Sequence, residues 1–369
     1  MGESTRSAAD DQLSPLPNSG LRIDAVVGGQ YGSEGKGRIC ANLAAEYDVL
    51  MRVGGPNAGH TVRLDHGATY VSRHLPSGAA VTDALLLIGP GAVMDPDILE
   101  REITAHELTP DRLVIDPSAI LVEPSDKSAD AARYARIGTT GSGISTATMR
   151  RISARDGQTE LRRAGSDPRL APFVSETTPF LYGLVAERTS LRILLEGTQG
   201  AGLSLLHGDY PYVTARDTTV MTLLAEAGLP WTALRRVLLV CRRFPIRAGG
   251  SSGPLPEETT WRDVEERAGL PPGQLSDHEV GSVSGRPRRV GAFNPASVIK
   301  AIMLNGATDI ALTCMDHEAA PNRTATTFEA LTPESREFVD ALERAAGIPV
   351  SLLTTGPAHG DLIDRRVWP

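Results

Sequence analysis

Apolar runs recur along the chain, separated by longer stretches that mix polar and apolar positions. The runs Ile23–Val27, Val49–Val53, Leu85–Ile88, Leu113–Ile115, Leu191–Leu195, Val237–Val240, Ile310–Thr313 and Ser351–Thr354 are mostly continuous rather than alternating. Continuous runs of this length predict strands covered on both faces, because a strand with one wet face alternates. Between them, Asp95-Pro96 predicts a helix through about Glu107, with the aspartate as cap and proline at the first helical position. Thr218–Gly228, Trp261–Gly269, Pro295–Gly306 and Pro333–Gly347 also read as helices, each closing at a glycine. Strands that alternate with helices predict an α/β fold, a mainly parallel sheet with helices on both faces. No linker divides the chain, so one large domain over 21–369 is expected. The Gly/Ser/Pro-rich stretch Ala248–Pro256 predicts a surface loop. Residues 1–20 are polar and Pro/Ser-rich with no apolar stretch, which predicts a flexible tail rather than a signal peptide.

Composition narrows the function classes. The 369 residues are 41% hydrophobic and 22% charged, with a net charge of −8. An acidic chain argues against nucleic-acid binding, so arginines for anionic ligands must be gathered locally. Cys40, Cys241 and Cys314 lack metal spacing and read as buried thiols. No segment approaches the roughly 18 apolar residues that cross a membrane.

Five motifs carry the chemistry. The first, Gly28-Gly29-Gln30-Tyr31-Gly32-Ser33-Glu34-Gly35-Lys36-Gly37-Arg38, follows an apolar run. A strand, a Gly-rich turn and a helix in that order make a phosphate cradle, because successive N–H groups and the helix N-terminus converge on an anion. The spacing differs from the common phosphate loop. Gln30 stands five residues before Gly35, and Gly37 replaces the usual Ser/Thr after Lys36. The others are Gly54-Gly55-Pro56-Asn57-Ala58-Gly59-His60-Thr61, Ile137-Gly138-Thr139-Thr140-Gly141-Ser142-Gly143, Glu196-Gly197-Thr198-Gln199-Gly200 with the later Tyr210-Pro211-Tyr212-Val213-Thr214, and Ser284-Gly285-Arg286-Pro287-Arg288-Arg289. A histidine beside phosphates serves as general acid or charge stabiliser. Arginine forks suit carboxylates and phosphates.

In order and wording these loops, with a late Thr355-Gly356-Pro357, resemble the adenylosuccinate synthetase family over nearly the whole chain after the tail. The resemblance implies a homodimeric, cytoplasmic ligase that uses Mg²⁺. A nucleoside triphosphate phosphorylates O6 of a 6-oxopurine nucleotide, and the amine of L-aspartate then displaces the phosphate. It places Gly32, Glu34, Gly35, Lys36, Gly37, Arg38, Gly59, His60, Thr61, Arg288, Asp316, Thr355, Gly356 and Pro357 around the donor nucleotide. Ser33, Asn57, Ala58, Thr139, Thr140, Gln199, Thr214 and Arg286 surround the acceptor. Val283, Ser284, Gly285, Arg286 and Arg288 face aspartate, and Ser33 and the Gly59 carbonyl face Mg²⁺. Ser33, Lys36, His60 and Gln199 are the expected catalytic set. Either Arg155 or Arg151 lies nearest the arginine that a neighbouring subunit donates to the acceptor phosphate.

Two departures point within the family. Ser33 replaces the aspartate that ordinary members use on the N1 proton of IMP and on Mg²⁺. A small residue there resembles the branch of certain bacteriophages that makes 2-aminoadenylosuccinate from dGMP, for diaminopurine DNA, in the host cytoplasm. In Thr313-Cys314-Met315-Asp316, the lysine that helps read guanine is lost, so ATP or dATP is expected to serve as donor beside GTP. Pro287 also stiffens the arginine loop. The alternatives are an ordinary synthetase using IMP and GTP, and a nucleotide binder that has lost catalysis.

Overall fold

The computed structural model describes residues 20–368 apart from Thr189, Ser282 and Ser284, so the expected tail and Ser284 lie outside it, save Gly20. Each apolar run becomes a strand of one sheet: β1 (Leu21–Gly28), β2 (Val49–Arg52), β3 (Leu85–Ile88), β4 (Leu113–Ile115), β5 (Leu191–Glu196), β6 (Leu234–Arg242), β7 (Asp309–Thr313), β8 (Val350–Thr354) and an added edge strand, β9 (Leu362–Asp364). The spatial order is β9-β8-β7-β6-β1-β5-β2-β3-β4. All neighbours pair in parallel except β8 and β9.

Alternate residues of each strand feed two cores. Ile23, Ala25 and Val27 of β1 face one way, against α5 (Thr177–Glu187), α6 (Val220–Ala227), α8 (Pro295–Asn305) and α9 (Pro333–Ala346). Val26 faces the other way, with Leu194, Leu238 and Val240, against α1 (Lys36–Leu43) and Leu99 of α2 (Pro96–Ala105). Each fully buried Leu, Ile or Val contributes about 1.5–3 kcal/mol, which is why the continuous runs fix where the strands lie.

The expected helices form, with small differences. α2 stops at Ala105, and Glu107 lies beyond it in a left-handed conformation (φ 51°) that no helix continues. The Asp95 cap accepts from the backbone N–H groups of Asp97 and Ile98. α3 (Pro124–Arg133) and α4 (Ile144–Ser153) pack together, and α7 (Trp261–Ala268) covers a small core of its own. The arginine cluster is not wholly a loop. Arg288–Gly291 is a strand between Ile246–Ala248 and Glu258–Thr259. The predicted surface loop therefore begins on a strand, and Arg289 is held by Glu258 on the outer side. Cys40 and Cys241 are buried, but Cys314 is only half-buried.

The parallel strands end on one edge. Their following loops flank the end of β1, whose neighbours β6 and β5 lead to opposite halves of the sheet. Open α/β sheets bind ligands at such a crevice.

Candidate active site

The loop after β1 is built around close backbone approach. A Cβ on Gly28 would lie 2.2 Å from the carbonyl oxygen of Gln199, and one on Gly29 would lie 2.7 Å from Cys241 Sγ. Gly35 caps α1 at φ 95°, a left-handed conformation suited to glycine. The loop encloses an anion of its own. Buried Glu34 accepts from the N–H groups of Gln30 (3.2 Å) and Gly32 (2.8 Å) and pairs with Lys36 Nζ at 2.6 Å. Lys36 also donates to the Gln199 carbonyl, and Thr313 Oγ1 donates to the Glu34 carbonyl at 2.6 Å. The lysine is thus held between β1 and β5.

A cavity of about 610 Å³ opens beside this loop. That volume suits a nucleotide-sized ligand. Gly32 and Ser33 reach it from the β1 loop, Asn57 to His60 from the segment after β2, and Thr139 and Thr140 from the segment before α4. Gln199 and Thr214 close another side, with Val283 and Arg288 opposite. Ser33 (φ 55°), Gln199 (φ 63°) and Cys314 (φ 62°) all sit in the left-handed region, each on a segment following a sheet strand. Such non-glycine conformations cost on the order of 1–3 kcal/mol and gather at functional sites. Gln199 Nε2 bonds Thr214 Oγ1 at 2.8 Å, and its buried Oε1 has no partner among the described residues. The threonine hydroxyl can donate or accept, so in either amide orientation one polar atom of Gln199 is left for a ligand.

His60 sits on a hairpin strand (His60–Arg63) paired with Thr69–Ser72. Its Nδ1 bonds the Glu196 carboxylate at the end of β5. Glu196 also accepts from the Ser77 N–H (2.7 Å) and Ser77 Oγ (2.6 Å), with the Arg52 guanidinium at 3.4 Å. Burial favours a protonated Glu196, yet Arg52, His60 and Ser77 together hold it down at about 2. Burial, then the Arg52 charge, lowers His60 to about 4. At neutral pH the ring is therefore neutral with its proton on Nδ1, because the carboxylate only accepts. Nε2 then carries a lone pair. His60 is a proton acceptor in the empty protein, and donating requires it first to take up a proton. A Cβ on Gly37 would come within 2.6 Å of His60 Cβ, so this glycine seats the ring. Glu196 opens the fourth sequence motif, but the sequence assigns it no role of its own. Its signal was a carboxylate ending an otherwise apolar strand.

The buried histidines also set acid stability. Burial lowers His60, His74 and His317, the last to about 3. Unfolding returns each to the ordinary value of 6.5. Between 6.5 and about 4 the unfolded chain binds more protons than the folded one, so stability rises with pH there and is lost on acidification. The urea midpoint is expected to fall between pH 7 and pH 5, and the fall should be smaller in His74→Gln, which removes one of the three contributions.

Other predicted residues lie elsewhere. Arg286 Nη2 donates to the carbonyls of Gly138 (2.7 Å) and Thr139 (3.0 Å), tying the arginine segment to the hydroxyl loop. Arg288 lines the cavity but pairs with Glu279 at 2.7 Å. Gly285 and Thr61 are exposed. Arg155 is exposed at the end of α4 and is not part of the cavity wall, and Arg151 donates to the Pro90 carbonyl at 3.2 Å. Arg38, Asp316, Thr355, Gly356 and Pro357 are also outside the cavity wall. They form a second cluster beyond β6, at the ends of β7 and β8, where Arg38 bonds the carbonyls of Gly356 and Asp361.

A sequence profile of adenylosuccinate synthetase matches residues 25–163 and 159–323. The chain belongs to the adenylosuccinate synthetase family. It is 37% identical to the adenylosuccinate synthetase of Thermococcus onnurineus, over 92% of this chain and 98% of that one. The Pyrococcus sp. (strain ST700) enzyme is 36% identical with the same coverage. Among solved structures, the fully ligated Plasmodium falciparum adenylosuccinate synthetase superposes with a TM-score of 0.81 at 21% identity, covering 94% of this chain and all of that one. The cyanophage S-2L succinoaminodeoxyadenylate synthetase, bound to dGMP and to dATP as an energy donor, gives 0.76 at 30% identity, covering 94% and 96%. This adenylosuccinate synthetase-like chain is accordingly a C–N bond-forming ligase on the family fold. Among its described residues, no helix is long and apolar enough to cross a membrane.

Proposed function

We propose that this ligase joins L-aspartate to dGMP at the expense of ATP or dATP, giving 2-amino-2′-deoxy-N6-succinyladenylate. One observation carries the reading: the acceptor side of the cavity presents Ser33 and no spare carboxylate. Asp130 is the single carboxylate in the wall among the described residues. It is fully engaged by the N–H groups of Ser145 and Thr146 and by Thr146 Oγ1 at 2.7–3.1 Å. A hydroxyl leaves room for a purine that carries a 2-amino group. Likeness to a cyanophage enzyme bound to dGMP and dATP supports the same choice.

In this reading the loop amides and Lys36 steady the triphosphate, and the purine O6 attacks its γ-phosphorus, breaking the bond to the diphosphate, as N1 gives its proton to solvent. Lys36 offsets the charge that moves to the leaving diphosphate. His60 Nε2 faces the transferring group and, once protonated against Glu196, stabilises it. Asn57, Thr140, Gln199 and Thr214 hold the acceptor, while Arg286 and Val283 face aspartate, whose amine displaces the O6 phosphate. The donor base lies at Asp316 and Thr355–Pro357. Ser33 Oγ and the Gly59 carbonyl are neutral hard oxygens, and among the described residues no group of three His, Cys, Asp or Glu side chains is placed to hold a metal ion. That donor set fits Mg²⁺ when substrate phosphates supply the charged ligands. Bound there, the ion neutralises phosphate charge. Met149, Ile152, Leu205 and Tyr210 are 37–77% exposed on the cavity wall. They suit coverage by a second copy, with Arg155 or Arg151 reaching across.

Purified protein with aspartate, Mg²⁺ and ATP is expected to convert dGMP faster than IMP, with the succinylated product read by mass spectrometry. A clear preference for IMP, with GTP as donor, would replace this reading by the ordinary enzyme. Absence of any product would leave a nucleotide binder. Arg286→Ala should raise the aspartate KM by about 10- to 100-fold, the worth of a charge-assisted hydrogen bond of about 1.5–3 kcal/mol. The donor KM should hardly move, and equal effects on both would remove Arg286 from the aspartate site.

A further inference from the structure

The second cluster contains a carboxyl group in an unusual position. Asp316 is 6% exposed and follows Cys314, the left-handed residue that ends β7. Four charged or titratable groups face it: Arg38 from α1, Arg242 from the end of β6, Arg323 from the segment after β7, and the Cys314 thiol. Three cations should make it a firm carboxylate, but two are committed elsewhere. Arg38 spans the Gly356 and Asp361 carbonyls, and Arg242 pairs with Glu279. Among the described side chains Arg323 alone bonds the Asp316 carboxyl, at 3.2 Å beside a hydrogen bond from the residue's own backbone N–H, and the Arg323 side chain is 46% exposed. An exposed partner screened by water offsets little of the desolvation of a buried acid. Burial accordingly pushes Asp316 up to about 6 against the pull of these arginines.

The two protonation states have opposite hydrogen-bonding capacities. A carboxylate only accepts, and it matches the paired N1–H and 2-amino donors of guanine. A neutral acid donates once and accepts once, and it matches the N1 acceptor and 6-amino donor of adenine. At the neighbouring position the short Cys314 side chain leaves the O6 or N6 corner of the base without a fixed charged partner. The base is then free to shift along its edge between the two pairings.

We propose that Asp316 reads the donor base in both forms, accepting guanine as a carboxylate and adenine as a neutral acid, so that proton concentration sets donor choice. The inference rests on the placement of the donor base at Asp316 under Proposed function. It does not depend on which purine nucleotide is the acceptor.

The test is equilibrium binding of the β,γ-imido analogues of ATP and GTP to the full chain with Mg²⁺ and no acceptor, from pH 5.5 to 8. Phosphate titration is common to both analogues and cancels in the ratio of their affinities. The adenine-to-guanine ratio is expected to fall by about tenfold per pH unit, the limit for mutually exclusive protonation states. Asp316→Asn is nearly isosteric, and its amide donates and accepts at every pH. The variant should bind the adenine analogue with a pH-independent ratio and lose guanine affinity. A flat ratio in the unmodified protein would overturn the proposal, as would an Asn variant that keeps the slope or a failure of both analogues to bind. If dGMP proves not to be the acceptor, these binding curves are unaffected, so the two readings fail separately.

Discussion

Replacement of His60 by alanine is expected to lower kcat by about 10²–10⁴-fold, the usual worth of a positioned acid–base group. The acceptor and donor KM values should change far less. The ring lines the cavity and its Nδ1 is fixed by Glu196, so in the proposed reaction Nε2 is the atom left to meet the transferring group. Deleting it removes an interaction that strengthens as phosphate charge develops, and this appears in kcat. His60→Asn should be nearly as slow, because an amide cannot take up the proton. Single-turnover measurements with saturating substrates would separate this from slow product release. An unchanged rate of phosphoryl transfer would remove His60 from the chemistry.

Glu196→Ala should do more damage of a different kind. The carboxylate sits among Arg52, His60 and Ser77, and the Arg52 side chain is 2% exposed. Removing one partner of a buried charge pair leaves the other uncompensated and destabilises by about 3–5 kcal/mol. Arg52 keeps its bonds to the carbonyls of Ala58 (2.7 Å) and Leu75 (3.0 Å), so the fold should survive at reduced urea midpoint. Glu196→Gln separates the charge from the shape. It keeps the packing but still leaves Arg52 without its counter-charge, so it should also lose stability. It should lower kcat and move the acidic limb of the pH profile downward, because His60 loses the anion that favours its protonated form. An unshifted acidic limb would mean that Glu196 merely fills space. The two variants together distinguish a positioning role from a packing role.

Much of the sheet was legible because parallel strands must be apolar on both faces, and eight such runs are present. β9 was not, since three residues at an antiparallel edge carry no periodic signal. α3 escaped for a physical reason: its buried positions are Asp126 and Asp130, polar groups that bond backbone N–H groups, so no apolar stripe marks it. Likewise the arginine strand is set by partners far away in sequence. In the site, the glycine-rich segments announced themselves because backbone must approach backbone there. The division into a cavity on one side of β1 and the Asp316 cluster on the other depends on strand order, which no single segment encodes. Glu196 read as the end of a strand, and only the fold puts a histidine from residue 60 against it.

The carboxylate enclosed by the β1 loop has a kinetic consequence. With Glu34 paired to Lys36, the loop is locally neutral until a ligand arrives. Long-range attraction of a triphosphate then gains little from this lysine, in a protein whose net charge of −8 already repels anions. Inorganic phosphate and stray polyanions have no preformed cationic well in which to lodge. A nucleotide bound as proposed would be anchored by its base as well, and its phosphates would then compete with Glu34 for Lys36 at high local concentration. Selectivity among anions thus begins before chemistry, as a filter on residence time.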